Sequence, residues 1–262
     1  MGGRGGKSNL TRPSAVPVPP MLQPQQPPIS QQLPDDSNTP VQLDALDQLT
    51  GMPDAQLAQF FTDSQQTDLP NHLGDVNDIT QKFVFAAGLN SKPEVLDAAE
   101  FKQFMADNNI PQSEILSRSI NGGTLRTSTG STRNLTAQQV ADMAMYSRLN
   151  YIGGKHGGQA YGAGTYFDMN GGGNTGYASG MTLNAVLNPK TARIITDHAL
   201  RAKAAAFDKS HPAFAKATGG YKTSFRNNNM SVYALVLGYN VIKDASGSYH
   251  NIIDRSALVY RK

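Results

Sequence analysis

The stretch GGKHGGQAYGAGTYFDMNGGGNTGYASG, residues 153–180, holds eleven glycines and three tyrosines, Tyr161, Tyr166 and Tyr177, with Phe167 beside the middle one. Glycine removes the Cβ and lets backbone approach a ligand closely, at an entropic cost that a purely structural segment avoids. A planar ligand lying against the tyrosines accounts for this combination. A flexible loop whose aromatics anchor it to the core is the competing account. Two phosphate loops are excluded: after Gly162-x-Gly164 the third further position is Phe167, so GxGxxG fails, and Leu149 stands where a Walker A motif ending in Gly154-Lys155 needs its first glycine.

Upstream, residues 1–40 open with GGRGG and continue as a Pro/Gln-rich run with few aliphatic residues in any periodic order. Such a segment buries too little apolar surface to offset its ordering entropy, so a disordered tail is expected. About 200 residues remain, enough for one domain with a real core. The formal charge of +3 is too small and dispersed to argue for nucleic acid on its own, and a nucleic-acid-binding module using GGRGG and the tyrosines is the weakest reading. Zero cysteines exclude disulfides and thiolate chemistry. No run reaches membrane-spanning length and no signal-peptide core follows the basic start. His72, His198 and His211 are too scattered to predict a metal site, and His156, within the glycine-rich stretch, reads as a solvated side chain rather than a contact to an acceptor.

Residues 41–74 read as a helical linker, broken at Gly51 and Pro53, and residues 75–262 as the domain. Val76, Ile79, Phe83, Val84 and Ala87 form one helical stripe that ends at Gly88, and residues 93–108 read as a further helix. Residues 113–120 read as a strand carrying Arg118 near its end. Thr136-x-x-Gln139 is a capping box, with Leu135 and Val140 as its staple. Beyond the glycines, residues 181–187 and 192–195 read as strands, 197–209 as a helix, 210–229 as a long loop and 231–237 as a short helix. Two strands close the chain around Ala245-Ser246-Gly247. The fold class is α+β.

Arg118 on an early strand, the G-x-G-x-Y-F segment at residues 162–167, Tyr177-Ala178 and the strand MTLNAVLNPKTARII, followed by GYNVIKDASGSYHNIIDRSALVYRK, together resemble the ADP-ribosyltransferase superfamily, most of all its phage- and prophage-encoded members. The resemblance covers residues 75–262. It implies two small packed antiparallel sheets with N-terminal helices, and NAD⁺ as co-substrate. It implies mono-ADP-ribosylation of a host macromolecule in the bacterial cytoplasm, or a virion-associated protein whose tail meets phage head proteins. Arg118 and Ser119 would bind NAD⁺, Tyr166 and Tyr177 would stack on nicotinamide, and Gly162 and Gly164 would let the chain pass close to it. An arginine fork suits a diphosphate or ribose, and aromatic faces suit a cationic ring.

Active members of the superfamily place a glutamate at the start of the last conserved strand. Here the glutamates are Glu94, Glu100 and Glu114, all before Arg118. The equivalent position falls on His250, or on Tyr249 if the register slips by one. Three accounts stand open: Asp254 or Asp244 serves as the acid, His250 or Tyr249 orients the ribose in a slow transferase, or the fold is catalytically silent and serves assembly or NAD binding.

Overall fold

The computed structural model describes residues 41–69, 71–73, 79–89, 92–127, 131–146, 164–169, 181–226 and 230–262. The expected tail, and with it Tyr161, Gly162, Tyr177 and His156, lies outside the described residues.

Two helices, α1 (Val41–Thr50) and α2 (Asp54–Ser64), come first, with Pro53 at the N-cap of the second. A short strand β1 (Asn71–Leu73) precedes α3 (Ile79–Ala86), which stops where Gly88 turns left-handed at φ 71°. The helix expected over 93–108 is instead a strand, β2 (Glu94–Leu96), followed by α4 (Ala98–Asp107). The reason is local: the Asp97 carboxylate accepts from the amides of Ala99 and Glu100, while Glu100 accepts from the Asp97 amide. This capping box fixes the helix start at Asp97 and frees 94–96 for pairing. Next come β3 (Leu116–Ile120), β4 (Gly123–Thr127), β5 (Thr132–Leu135) and α5 (Ala137–Tyr146). Thr136 and Gln139 close the expected box on α5.

The second half holds β6 (Thr165–Met169), β7 (Met181–Leu187), β8 (Ile194–Thr196) and α6 (Asp197–Ser210). The expected loop over 210–229 is corrected by two helices, α7 (Pro212–Thr218) and α8 (Gly220–Arg226), and α9 (Met230–Val236) follows. Three strands finish the chain: β9 (Val241–Lys243), β10 (Tyr249–Ile252) and β11 (Leu258–Arg261).

Among the described residues the strands form a mixed α/β architecture with two sheets of unequal size. A three-stranded antiparallel sheet runs β1-β4-β5, and an eight-stranded sheet runs β2-β11-β7-β3-β6-β10-β9-β8. This corrects the expectation of two small antiparallel sheets. Both edge pairings of the large sheet, β2 with β11 and β8 with β9, are parallel. The large sheet is continuous because β3 pairs with neighbours on both sides. Its ladder with β7 covers all five residues, but that with β6 covers only Leu116↔Met169 and Ser117↔Asp168.

Strand alternation sends neighbouring residues to opposite faces. Ile242 enters a core built with α1, α2, α3, α6, α7 and α9, including Leu46, Leu57, Phe83, Phe214 and Tyr233. Val241, Phe167, Leu116 and Ile120 enter a second core under α5. Phe101 and Met105 of α4 cover Val186 and Val259. By register Val186 shares its face with Ile242, so α4 and the α9 layer hold opposite ends of one face. Between those ends lie β3, β6 and β10. The helices expected to be a linker, α1 and α2, bury Leu46, Leu49, Leu57 and Phe61 and so belong to the core. Among the described residues no helix is long and apolar enough to cross a membrane.

Candidate active site

The short β3–β6 ladder decides where a site can form. Beyond Ser117 and Asp168 the two strands no longer pair, and Arg118 occupies that parting. Its Nη1 donates to the Tyr166 carbonyl oxygen at 2.9 Å, on the strand that β3 has just left. By register Arg118 shares the α5 face with the buried Leu116 and Ile120, and its guanidinium meets β6 at the gap, through the Tyr166 carbonyl.

On the face between α4 and the α9 layer, a polar row crosses four strands in register. Asn184 of β7 faces Ser117 of β3, Ser117 faces Asp168 of β6, and Asp168 faces Tyr249 of β10. The Ser117 hydroxyl donates to Asn184 Oδ1 at 2.9 Å, and Ser117 is only 1 % exposed. The next residues along the same face are Thr182 opposite Ser119, and Tyr166 opposite Asn251. Polar side chains in the middle of a sheet whose two ends are covered by apolar helices cost the fold burial energy. Such a cost is tolerated where a ligand is bound.

The electrostatics centre on Asp168. Burial pushes its carboxyl above the usual carboxylate value, and the nearby Arg118 charge pulls in the other direction. A half-buried acid beside an arginine, in register with a tyrosine, is a group that can accept hydrogen bonds from hydroxyls and offset a developing positive charge. The sequence reading passed over Asp168. Its signal was present, because Asp168 stands two positions after Tyr166 and so shares its face on any strand.

Of the residues expected in the site, Ser119, Tyr166 and Tyr249 share one face at the β3–β6–β10 junction, while Arg118 starts from the opposite face and meets them through the Tyr166 carbonyl. Tyr249 is 40 % exposed and on the same face as Tyr166. His250 is not with them. It is paired with Phe167 and with Lys243, turned to the α5 side and 3 % exposed. Burial, and secondarily the Lys243 charge, lower its pKa to about 4, and its Nδ1 has no hydrogen-bond partner among the described residues. It is a neutral core imidazole on the opposite face from Tyr166. Gly164 is required for a reason other than a ligand: a Cβ there would overlap Asn251 Oδ1 and come within 2.9 Å of the Ile252 carbonyl oxygen. Gly162 and Tyr177 lie outside the described residues.

The alternative acids are engaged elsewhere. Asp254 is 1 % exposed and accepts from the amide and hydroxyl of Ser256, capping a 3₁₀ turn. Asp244 accepts from Ser246 in the β9–β10 turn. Arg255, next to Asp254 in the chain, donates to the carbonyls of Met143 and Ala144 at the end of α5. Among the described residues no three histidine, aspartate or glutamate side chains cluster as metal ligands. No family model, curated protein or solved structure matches the chain.

Proposed function

We propose that this chain is an ADP-ribosyltransferase-like protein of phage origin that takes NAD⁺ as co-substrate and transfers one ADP-ribose unit to a macromolecule of a bacterial host. One observation carries the reading. Ser119 of β3, Tyr166 of β6 and Tyr249 of β10 share one face at a parting of strands, with the Arg118 guanidinium on the Tyr166 carbonyl. The donor set suits the dinucleotide. Arg118 offers a cation for the diphosphate or the adjacent ribose, Ser119 and Thr182 offer hydroxyls, and Tyr166 offers an aromatic face for a cationic ring. NAD⁺ supplies a glycosidic bond with neutral nicotinamide as its leaving group. The chain's own residues bind and orient it. Slow, single-unit transfer fits a site with no glutamate. The activity would need residues 41–262, since α1 and α2 are part of the core, and the tail, residues 1–40, would dock to a head protein or other partner.

A second reading is favoured by the burial of His250 on the far face and by the absence of glutamate at the junction: a catalytically silent relative, serving virion assembly or NAD binding. Incubating bacterial lysate with adenylate-labelled NAD⁺ separates the two. Covalent label on a host component, lost in Arg118→Ala and reduced in Arg118→Lys with unchanged melting, supports the transferase. NAD⁺ binding by calorimetry without label supports the silent relative, and neither binding nor label removes both.

A further inference from the structure

We propose that Asp168 is the anionic residue of this site, accepting a ribose hydroxyl of the bound dinucleotide and facing the positive charge that grows on the ribose as its bond to nicotinamide breaks. The proposal rests on the transferase reading above. Breaking a glycosidic bond builds positive charge at the anomeric carbon, and a fixed carboxylate nearby lowers that barrier. Glu100 is held in the α4 capping box, and the carboxylate that the register places at the β3–β6–β10 junction among the described residues is an aspartate. Asp244 and Asp254 are held by serines in turns, and Asp54 and Asp208 are held by helix amides.

Asp168 differs from all of them. It lies within a strand, two residues after Tyr166 and on its face, with Ser117 on one side in register and Tyr249 on the other. Tyr249 of β10 shares its face, and the charge of Arg118, which stands on the opposite face of β3 at the strand parting, acts on it as well. Arg118 supports the ionised form, whereas burial opposes it. A carboxylate kept there against its own desolvation makes sense if a hydroxyl or a cationic ligand arrives to complete its surroundings. Tyr249 is positioned to hold the same ribose from the next strand.

The step is balanced without any further reagent. The bond between the ribose C1 and the nicotinamide nitrogen breaks, and its electron pair leaves on nicotinamide. A lone pair of the acceptor forms the new bond to C1, and the acceptor proton passes to water. Asp168 stays a carboxylate throughout.

The test uses the full chain and three readouts: NAD⁺ binding by calorimetry, nicotinamide release with label transfer, and thermal melting. The near-isosteric Asp168→Asn is expected to melt as wild type and bind NAD⁺ within a few fold, while turnover falls about 100-fold or more. Asp168→Glu is expected to recover part of the rate. Wild-type turnover falls as the pH drops through a carboxylate raised above its ordinary value, and this acidic limb disappears in Asp168→Asn. Unchanged turnover in Asp168→Asn overturns the proposal and leaves the transferase reading intact. Early melting of Asp168→Asn with lost binding assigns the residue a structural role and also overturns it. A wild-type protein that neither binds nor cleaves NAD⁺ removes the transferase reading and this proposal with it.

Discussion

At Gly164 the chain passes so close to β10 that a single methyl group has no room. The built Cβ would meet the Asn251 amide and would stand 2.8 Å from its Cγ. Asn251 cannot retreat easily, since it is 1 % exposed and its Nδ2 donates to the Ser231 hydroxyl on α9 at 3.3 Å. Gly164→Ala is therefore expected to lower stability by about 1–3 kcal/mol, the usual range for overpacking, read from urea midpoints. His250 gives a second residue-scale prediction, with a pH sign. Its folded pKa of about 4 lies below its ordinary 6.5, so the unfolded chain binds the extra proton in between. The stability from keeping it neutral is fully present above 6.5 and is lost as the pH falls toward 4, a change of about 3 kcal/mol. Urea midpoints of wild type and His250→Gln measured at pH 7 and pH 4.5 are expected to converge at the lower pH.

Elements differ in how much of their stability is written next to them in the chain, and this explains what the sequence revealed. α5 was legible because Thr136 and Gln139 cap it from three residues apart. α7 was read as loop because its cap comes from α2: Asp54 accepts from the amides of Ala213 and Phe214, both at 2.9 Å. α8 is similar, with Asp208 of α6 accepting from the Tyr221 amide at 2.8 Å and from the Tyr233 hydroxyl at 2.7 Å. The same division holds for the site. The order of short motifs singles out Arg118, Ser119 and Tyr166 and leaves His250 and Tyr249 as alternatives, whereas their opposite faces follow from the register of β10 against β6. The face of Asp168 is legible from its spacing to Tyr166, whereas its neighbours across the sheet, Ser117 and Tyr249, follow only from strand register. At this scale the expected outcome concerns α7. Asp54→Ala removes the acceptor for its first amides, so hydrogen exchange at Ala213 and Phe214 is expected to accelerate while exchange in β3 and β7 stays slow.

Across the whole molecule, the question is where the folding unit begins. The resemblance begins at residue 75, but the core does not. Leu46, Leu49, Leu57 and Phe61 are at most 7 % exposed and share a cluster with Phe83, Phe214 and the α9 residues that sit behind Asn251. Phe61 lies 5.8 Å from Phe214 and 6.1 Å from Phe83 between ring centroids, and Arg193 donates to Asp47 of α1 at 2.6 Å. Each large apolar side chain buried here contributes about 1.5–3 kcal/mol, and a domain's net stability is only about 5–15 kcal/mol. Losing four of them removes most or all of that margin and uncovers the layer that supports β10. A chain starting at residue 75 is therefore expected to show no cooperative urea transition and no NAD⁺ binding, while one starting at residue 41 unfolds in a single transition. Equal midpoints for the two would mean that α1 and α2 merely lie against a core that is complete without them. The site would then depend only on the sheet. Unequal midpoints would mean that the helices ahead of the resemblance hold the sheet on which Tyr166, Asp168 and Tyr249 are aligned.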